Sequence, residues 1–124
     1  MTEPKQAACL LPSEHRLVVS ELFFGRDIPG RGPVTATEWT NFVARVIAAN
    51  FPDGFTILDA DGGWLDPWSG KLIREPSKLV IVAADPRSEP ATRVKAVIAA
   101  YRREFHQQSV GLITRESCAS FGAP

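Results

Sequence analysis

The segment LDADGGWLDPWSG, residues 58–70, concentrates acidic side chains that could bind a cation. It contains three aspartates, three glycines and two tryptophans. A calcium loop of the EF-hand kind needs oxygen ligands at its first, third and fifth positions, a glycine at the sixth and a glutamate at the twelfth. Counted from Asp59, the fifth position is Gly63, the sixth is Trp64 and the twelfth is Gly70. The pattern therefore does not match a calcium loop, and we expect no bound metal.

The same segment is typical of a long β-hairpin. Its Asp-Gly, Gly-Gly and Asp-Pro pairs are residues that turns and bulges favour. We expect Trp64 and Leu65 to continue a strand past a glycine bulge and to pair with Leu72 and Ile73. Two tryptophans, Trp64 and Trp68, are more than the solubility of an exposed arm requires. We therefore expect a partner or a ligand to cover part of this hairpin.

Other motifs that carry catalysis or cofactor binding do not occur in the sequence. The two histidines, His15 and His106, lack the neighbouring ligands that a zinc site needs. The phosphate-loop, dinucleotide and nucleophile-elbow patterns are absent. The sequence therefore predicts no cofactor.

Two charged residues interrupt apolar strands and are candidates for chemistry. Side chains alternate between the two faces of a strand, so Glu21 shares a face with Phe23, and Lys78 shares a face with Val80. The uncharged faces suit packing against helices, which predicts that Glu21 and Lys78 project together from the open face of a sheet. They would form an ion pair, or a pocket in which Glu21 is a desolvated acid or base.

The hydrophobic pattern predicts the elements that position these residues. Thr35 and Glu38 have the spacing of a capping box for a helix that ends near Asn50. Ser88 is the expected N-cap of a second helix, with Pro90 in its first turn. Strands are predicted at residues 15–24, 55–60, 71–84 and 109–115, and a bulge or register break is expected at the proline of the third strand.

The order of elements, βαββαβ, predicts a ferredoxin-like α+β fold. Its four-stranded antiparallel sheet carries two helices on one face, has the first and third strands at its centre, and extends into the hairpin between the second and third. The chain of 124 residues suits one domain, predicted over residues 16–121, with residues 1–15 as an N-terminal tail. Because the central strands are apolar on both sides, the open face needs a cover. We therefore expect a homodimer.

Charge and hydropathy narrow the class of partner and the location. Lys plus Arg and Asp plus Glu number 14 each, so the net charge is zero and nothing favours nucleic acid as a partner. No apolar run is long enough for a transmembrane segment. The N-terminal residues lack the apolar region of a signal peptide, so we expect a cytoplasmic protein if Met1 is the native start.

Several motifs together resemble a bacterial family known as domain of unknown function 3574. They are ELFFG at residues 21–25, FPDGFTILDADGGW at 51–64, REPSK at 74–78 and CASF at 118–121. The resemblance covers nearly all of the chain after the tail. It implies a small protein that is periplasmic or otherwise exported, with no assigned activity or catalytic residues. The export signal usual in that family is missing from this sequence.

Two cysteines flank the predicted sheet. Cys9 precedes the first strand and Cys118 follows the fourth. In the predicted topology these strands are antiparallel neighbours, so the start of one lies beside the end of the other. We expect a disulfide in an oxidising compartment, as the resemblance to an exported family implies, and two free thiols in the cytosol.

Two functions fit the sequence. The first is a binding module of the bacterial envelope that uses the open sheet face, including Phe23, or the tryptophan-bearing hairpin to hold a small ligand or a protein. The second is a cofactor-independent enzyme of the dimeric α+β-barrel kind. In it, Glu21 or Asp27 is the acid or base, and Arg74 or Lys78 orients an anion. The second function rests on analogy of fold alone.

Overall fold

The computed structural model describes residues 8–121. The first helix, α1, combines three successive segments: an α-helix at Ala36–Phe42, a π-helical turn at Val43–Ile47 and an α-helical turn at Ala48–Asn50. The second helix, α2, is Pro90–Phe105, preceded by a 3-10 turn at Pro86–Ser88. The strands are β1 at His15–Gly25, β2 at Thr56–Leu65, β3 at Leu72–Ala84 and β4 at Gly111–Ala119.

The sheet confirms the predicted ferredoxin-like α+β architecture. Its four strands are antiparallel and lie in the order β2-β3-β1-β4, so β1 and β3 are central. β4 is longer than the sequence pattern indicates, because it continues to Ala119. β2 continues through the glycines of the hairpin to Leu65, as expected for Trp64 and Leu65. Both helices pack on one face, which leaves the other face open.

Local signals at the start of α1 act as predicted. The Thr35 hydroxyl accepts a hydrogen bond from the Glu38 amide at 3.1 Å, and the Glu38 carboxylate accepts one from the Thr35 amide at 3.0 Å. The Arg31 guanidinium also binds this carboxylate, and it is the main reason why the pKa of Glu38 falls to about 2. This capping box is confirmed. The π-helical turn that follows it was not predicted.

The start of α2 differs from the prediction that Ser88 is its N-cap. The Ser88 hydroxyl instead donates to the Asp85 carbonyl at 2.6 Å, inside the 3-10 turn. Glu89 occupies the N-cap position in the left-handed conformation, with φ of 59° and no side-chain cap. Pro90 then begins the helix, as expected, where its missing amide removes no helical hydrogen bond. The prediction failed because Asp85 recruits Ser88 one turn earlier.

An aromatic cluster forms the core between the helices and the sheet. Tyr101 of α2 is fully buried, with its ring centroid 4.8 Å from Phe24 and 5.2 Å from Phe42. Its hydroxyl donates to the Gly25 carbonyl at 2.6 Å, which satisfies the polar end of a ring that is otherwise surrounded by apolar side chains. This contact fixes the C-terminal end of β1 against α2.

The β2–β3 hairpin has the predicted pairing but no irregularity. Trp64 pairs with Ile73 and Leu65 with Leu72, as expected. The register runs without interruption from Thr56 opposite Ile81 to this end, so the glycine bulge and the break at the proline are both wrong.

The physical reasons for this regular register lie in the two residues that suggested a break. A Cβ atom on Gly62 would come within 3.3 Å of the Glu75 carbonyl oxygen, so glycine permits a close approach of the strands rather than a bulge. The pairing of β1 with β3 ends at Gly25 opposite Ser77. Pro76 therefore lies where β3 has lost one neighbour, and edge positions tolerate proline.

A disulfide joins Cys9 to Cys118, with 5.6 Å between their Cα atoms. The two residues are 109 positions apart in the sequence. The bond connects the segment before β1 to the end of β4, where Cys118 lies opposite Arg16 in the strand register.

Candidate functional site

Of the two central strands, β1 turns the predicted residues towards the helices and β3 does not. On β1 the prediction is confirmed, because Leu22 and Phe24 are buried under the helices. On β3 it is wrong, because Val80 is buried opposite Leu22 and Lys78 lies opposite Phe24, so both face the helix side. β3 is apolar on both faces, and the position of its single lysine therefore did not identify the open one.

Lys78 consequently has a different partner from the one expected. Its ammonium group binds the Asp59 carboxylate on the neighbouring edge strand, where the two residues lie opposite each other. This hydrogen bond is the main cause of the lowered pKa of Asp59, which is otherwise exposed. The long apolar stem of lysine allows the charge to reach the sheet edge from a partly covered position.

Glu21 lies in the middle of the open face, where its partner is Arg115 of β4. The closest approach of the guanidinium to the carboxylate is 3.4 Å, and the Glu21 side chain is partly buried. The expected Glu21–Lys78 pair is therefore wrong, since the two residues project from opposite faces. The carboxylate is thus already paired with a guanidinium, which differs from the unpaired, desolvated acid that the sequence suggested.

Apolar side chains surround this ion pair across all four strands. Leu79 and Ile81 of β3 lie opposite Phe23 and Glu21, and Ile113 of β4 lies opposite Glu21 on the other side. Three large apolar residues of this surface remain well exposed: Phe23 by 36%, Leu58 by 46% and Ile113 by 50%. We call this surface, with Val19, the open face.

The open face leads into a pocket of about 440 Å³ beside the C-terminal end of β1. Four parts of the chain form it: the end of β1 and the loop after it, the arm of the hairpin, the loop after α2, and the start of β4. The side chains that matter most for its chemistry are those of Phe23, Asp27, Glu75, Ser77, His106 and Gln107.

Hydrogen bonds hold the walls of this pocket together. Gln107 donates from its side-chain amide to the backbone carbonyl of Asp27 at 2.8 Å and to that of Phe105 at 3.1 Å, which ties the loop after β1 to the end of α2. Across the pocket, the Trp64 indole N–H lies 3.4 Å from the Glu75 carboxylate. These contacts fix the loop that carries Asp27 and orient the Glu75 side chain on β3.

Phe23 forms part of the floor of the pocket because its neighbour on β4 is glycine. Gly111 lies directly opposite Phe23, and a Cβ atom there would come within 3.2 Å of the Phe23 Cβ. The missing side chain lets the aromatic ring lie over the backbone of β4, an arrangement that aromatic residues often adopt opposite a glycine. The other side of the ring is left accessible from the pocket.

Residues 61–65 of β2 and 72–76 of β3 form an arm of the hairpin that no longer pairs with β1. Five residues of each strand, at about 3.4 Å per residue, give an arm roughly 17 Å long. Trp64 lies on its open-face side, Leu65 and Leu72 lie on the opposite side, and Trp68 at the tip is 94% exposed. The arm thus presents apolar side chains in both directions.

The loop at the tip of the arm uses its own acidic residue. The Asp66 carboxylate accepts from the Trp68 amide at 3.0 Å and from the Ser69 hydroxyl at 2.8 Å. These bonds, that of Ser69 first, lower the pKa of Asp66. Its oxygens therefore close a turn, which agrees with the interpretation of this segment as a hairpin. Within residues 8–121, no three His, Cys, Asp or Glu side chains are grouped as ligands of a metal ion.

The structure brings together only some of the residues that the sequence singled out. Phe23 and Asp27 line the pocket, and Trp64 lies at its rim through its contact with Glu75. Arg74 is on the same side of β3 as Lys78, away from the pocket and the open face. Trp68 is distant from both, at the tip of the arm.

Sequence reasoning missed three side chains of the pocket: Glu75, His106 and Gln107. Glu75 alternates with Ser77 and Leu79 on the open-face side of β3, so the correct parity of that strand would have identified it. His106 was considered as a zinc ligand rather than as part of a pocket, and it ends α2 in the left-handed conformation with φ of 51°. No local pattern marks Gln107, whose role depends on a loop 80 positions away.

No helix among residues 8–121 has both the length and the apolar character to cross a bilayer. Most of the large apolar side chains that are exposed among these residues lie on the arm or the open face.

Comparisons with known proteins identify a family and a fold. The model of the family described as protein of unknown function (DUF3574) matches residues 19–121. No curated protein matches the chain. Among solved structures, a phage SAM lyase in complex with S-methyl-5'-thioadenosine is similar, with a TM-score of 0.60 and 17% identity over 96% of this chain and 97% of that one. A phage SAM lyase in the apo state has a TM-score of 0.60 and 18% identity, over 95% and 97% of the two chains. At this identity the likeness shows the fold alone.

Proposed function

The chain belongs to the DUF3574 family, and we propose that it is a binding module that self-associates through its open face to form a homodimer. The observation that carries this proposal is the exposure of Phe23, Leu58 and Ile113 on one surface, where Leu79 of β3 lies between Leu58 and Phe23. Contiguous apolar patches of this kind are rare on monomeric proteins and mark interaction sites. A second copy would provide the cover that the sequence pattern of the central strands requires.

The dimensions of the open face suit an interface between two copies. The β1–β3 register has eight pairs, or roughly 27 Å, and four strands span roughly 19 Å. The flat area is therefore about 500 Å², and the arm adds roughly 170 Å². A stable interface buries about 800 Å² of accessible surface on each partner, which a corrugated surface of this size approaches. The only ion pair described on the face, Glu21–Arg115, is neutral overall and does not oppose self-association.

Two adjacent residues of β4 provide a matched test of self-association. Ile113 is 50% exposed on the open face, whereas Leu112 is 45% exposed on the opposite side of the same strand. We expect sedimentation velocity at tens of micromolar to show a dimer for the wild type and for Leu112→Lys, and a monomer for Ile113→Lys. A monomeric wild type, or equal effects of the two substitutions, would contradict the proposal.

A second candidate function is that of a cofactor-independent enzyme that uses the pocket, with Asp27 as the acid or base. Two observations favour it: the pocket groups Asp27, Glu75 and His106, and the fold resembles a phage SAM lyase along almost the whole chain. Asp27 is preferred to Glu21, which Arg115 occupies. Neither Arg74 nor Lys78 faces this pocket, so the proposal gives them no role in it.

The test of this candidate is incubation of the purified protein with SAM, followed by chromatography for S-methyl-5'-thioadenosine. The expected result is formation of that product by the wild type and loss of activity in Asp27→Asn. Asp61→Asn is the control, because Asp61 is an acid of the hairpin on the side opposite the pocket. Conversion no faster than in a protein-free blank would exclude this reaction and leave the binding module as the function.

We also propose that the protein works in an oxidising compartment, as exported proteins do. The Cys9–Cys118 disulfide supports this location, because such bonds persist outside the reducing cytosol. The test is alkylation of thiols in intact cells before lysis. Recovery of the chain with both cysteines alkylated would place it in a reducing compartment instead.

A further inference from the structure

Among the described residues, the pocket beside the end of β1 is lined by two acids and one histidine, His106, with no lysine or arginine to balance the acids. Asp27 on one wall and Glu75 on another are both exposed acids. A concave site whose fixed charges have one sign attracts ligands of the opposite sign.

The basic residues nearest to Asp27 and Glu75 in the sequence bind other groups or point away from the pocket. Arg26 donates to the Val34 carbonyl at 2.8 Å, and Lys78 binds Asp59 on the helix side of the sheet. Arg74, which immediately precedes Glu75, projects from the opposite side of β3 by strand alternation. The negative charge of the pocket is therefore not neutralised by these neighbours.

Aromatic surface accompanies the two acids. The Phe23 ring lies over Gly111 and is 36% exposed, so one side of it faces the pocket. The indole edge of Trp64 points at the Glu75 carboxylate and thereby holds a second, half-exposed ring at the rim. Carboxylates beside accessible aromatic rings form the kind of site that recognises cations whose charge is spread over alkyl groups.

We propose that this pocket binds an organic cation of the quaternary ammonium kind. The positive charge of the ligand lies between Asp27 and Glu75, and its alkyl groups pack on Phe23. The inference shares its pocket with the second candidate function and deepens it by naming the ligand class. It requires neither turnover nor self-association, so it is tested by binding alone.

A pair of probes of nearly equal shape separates charge from size. Choline carries a quaternary ammonium group, and 3,3-dimethyl-1-butanol replaces its nitrogen with carbon. We expect choline to cause saturable shifts of the Trp64 indole N–H resonance in a proton–nitrogen correlation spectrum, and the neutral alcohol to bind at least fivefold more weakly. Equal affinity for the two probes, or no saturable shift with choline up to tens of millimolar, would overturn the inference.

Matched variants locate the binding site. Asp27→Asn and Glu75→Gln each remove one charge, and the glutamine keeps an oxygen that can accept from Trp64. Each should weaken choline binding about fivefold, the effect of one unit charge at roughly 4 Å in water. Asp61→Asn removes the same charge from the other side of the hairpin and should leave the affinity unchanged. A loss of affinity in Asp61→Asn equal to that in Asp27→Asn would show general charge attraction and would refute the site.

The outcomes of this experiment differ from those of the proposed functions. Choline binding without conversion of SAM would refute the lyase and leave this inference standing. Binding by a monomeric protein would refute the homodimer alone. Selective saturation of the pocket by inorganic phosphate would show that the assignment of charge is wrong.

Discussion

Removal of the Cys9–Cys118 disulfide should lower stability mainly through the unfolded chain. In the folded protein the segment before β1 makes few contacts, because Leu10 and Leu11 are both exposed. One backbone hydrogen bond, from the Glu14 amide to the Leu11 carbonyl at 3.1 Å, is internal to that segment. The double substitution of both cysteines by serine therefore removes little native packing and chiefly restores freedom to the unfolded chain.

The size of the effect follows from the length of the closed loop. A bond across 109 positions reduces the entropy of the unfolded chain by roughly 16 cal/mol/K, or about 5 kcal/mol at 25 °C, in the chain-entropy model. Measured losses for native disulfides in small domains are about 2–5 kcal/mol. With an unfolding entropy of about 2.1 cal/mol/K per residue, 124 residues give roughly 260 cal/mol/K. The Tm should fall by about 8–19 °C.

Urea unfolding without reductant measures this difference, and a reducing agent supplies the control. The wild type treated with dithiothreitol should unfold at the midpoint of the serine variant, and the variant should not respond to dithiothreitol. A serine variant within about 0.5 kcal/mol of the untreated wild type, comparable to an ordinary surface substitution, would refute the argument from loop closure. Two thiols that alkylate freely in the native wild type would refute the bond itself.

Three further outcomes test the core and the open face. Tyr101→Phe should lower the free energy of unfolding by about 1–3 kcal/mol in urea titrations, because it leaves the Gly25 carbonyl without its buried donor; no loss would show that water replaces the hydroxyl. Burial raises the pKa of Tyr101 to about 12. The contribution of this hydroxyl to stability is therefore complete below pH 10 and is lost between about pH 10 and 12. Measurements of the free energy of unfolding of the wild type and of Tyr101→Phe across this pH range check the loss. A double-mutant cycle for Glu21 and Arg115 should give a coupling of up to about 1 kcal/mol, whereas Glu21 and Lys78 should be additive; coupling of the second pair would contradict the observed strand parity.

The sequence predicted those features that depend on neighbouring residues. The capping box at Thr35 and Glu38 needs only a spacing of three, and the order of strands and helices follows from periodicity along short segments. The pairing of Trp64 with Ile73 follows from the length of the loop between their strands. In each case the stabilising contact lies within the segment that shows the pattern.

Features that depend on distant residues were not predictable in the same way. Leu79 and Ile81 are as apolar as Val80 and Val82, so only the register with β1 decides which pair faces the helices. A lysine then indicated the wrong face, because its long side chain can reach solvent from the covered one. The pocket forms where two connections, β1–α1 and α2–β4, and the β2–β3 hairpin lie together at one end of the sheet. A local sequence pattern cannot show that these parts of the chain are neighbours.

Phe23 belongs both to the open face and to the pocket, which connects the two proposals by thermodynamic linkage. Its ring lines the pocket, while its strand neighbour Leu79 belongs to the surface that a second copy would cover. If the cation and the second copy both order this ring, each must raise the affinity of the other. Sedimentation with saturating choline should therefore lower the dimer dissociation constant. Because a homodimer has two pockets, the change should be the square of the ratio between the choline dissociation constants measured at protein concentrations above and below that constant. A dimer dissociation constant that choline leaves unchanged would mean that the ring is already fixed by Gly111, and that the two surfaces act independently.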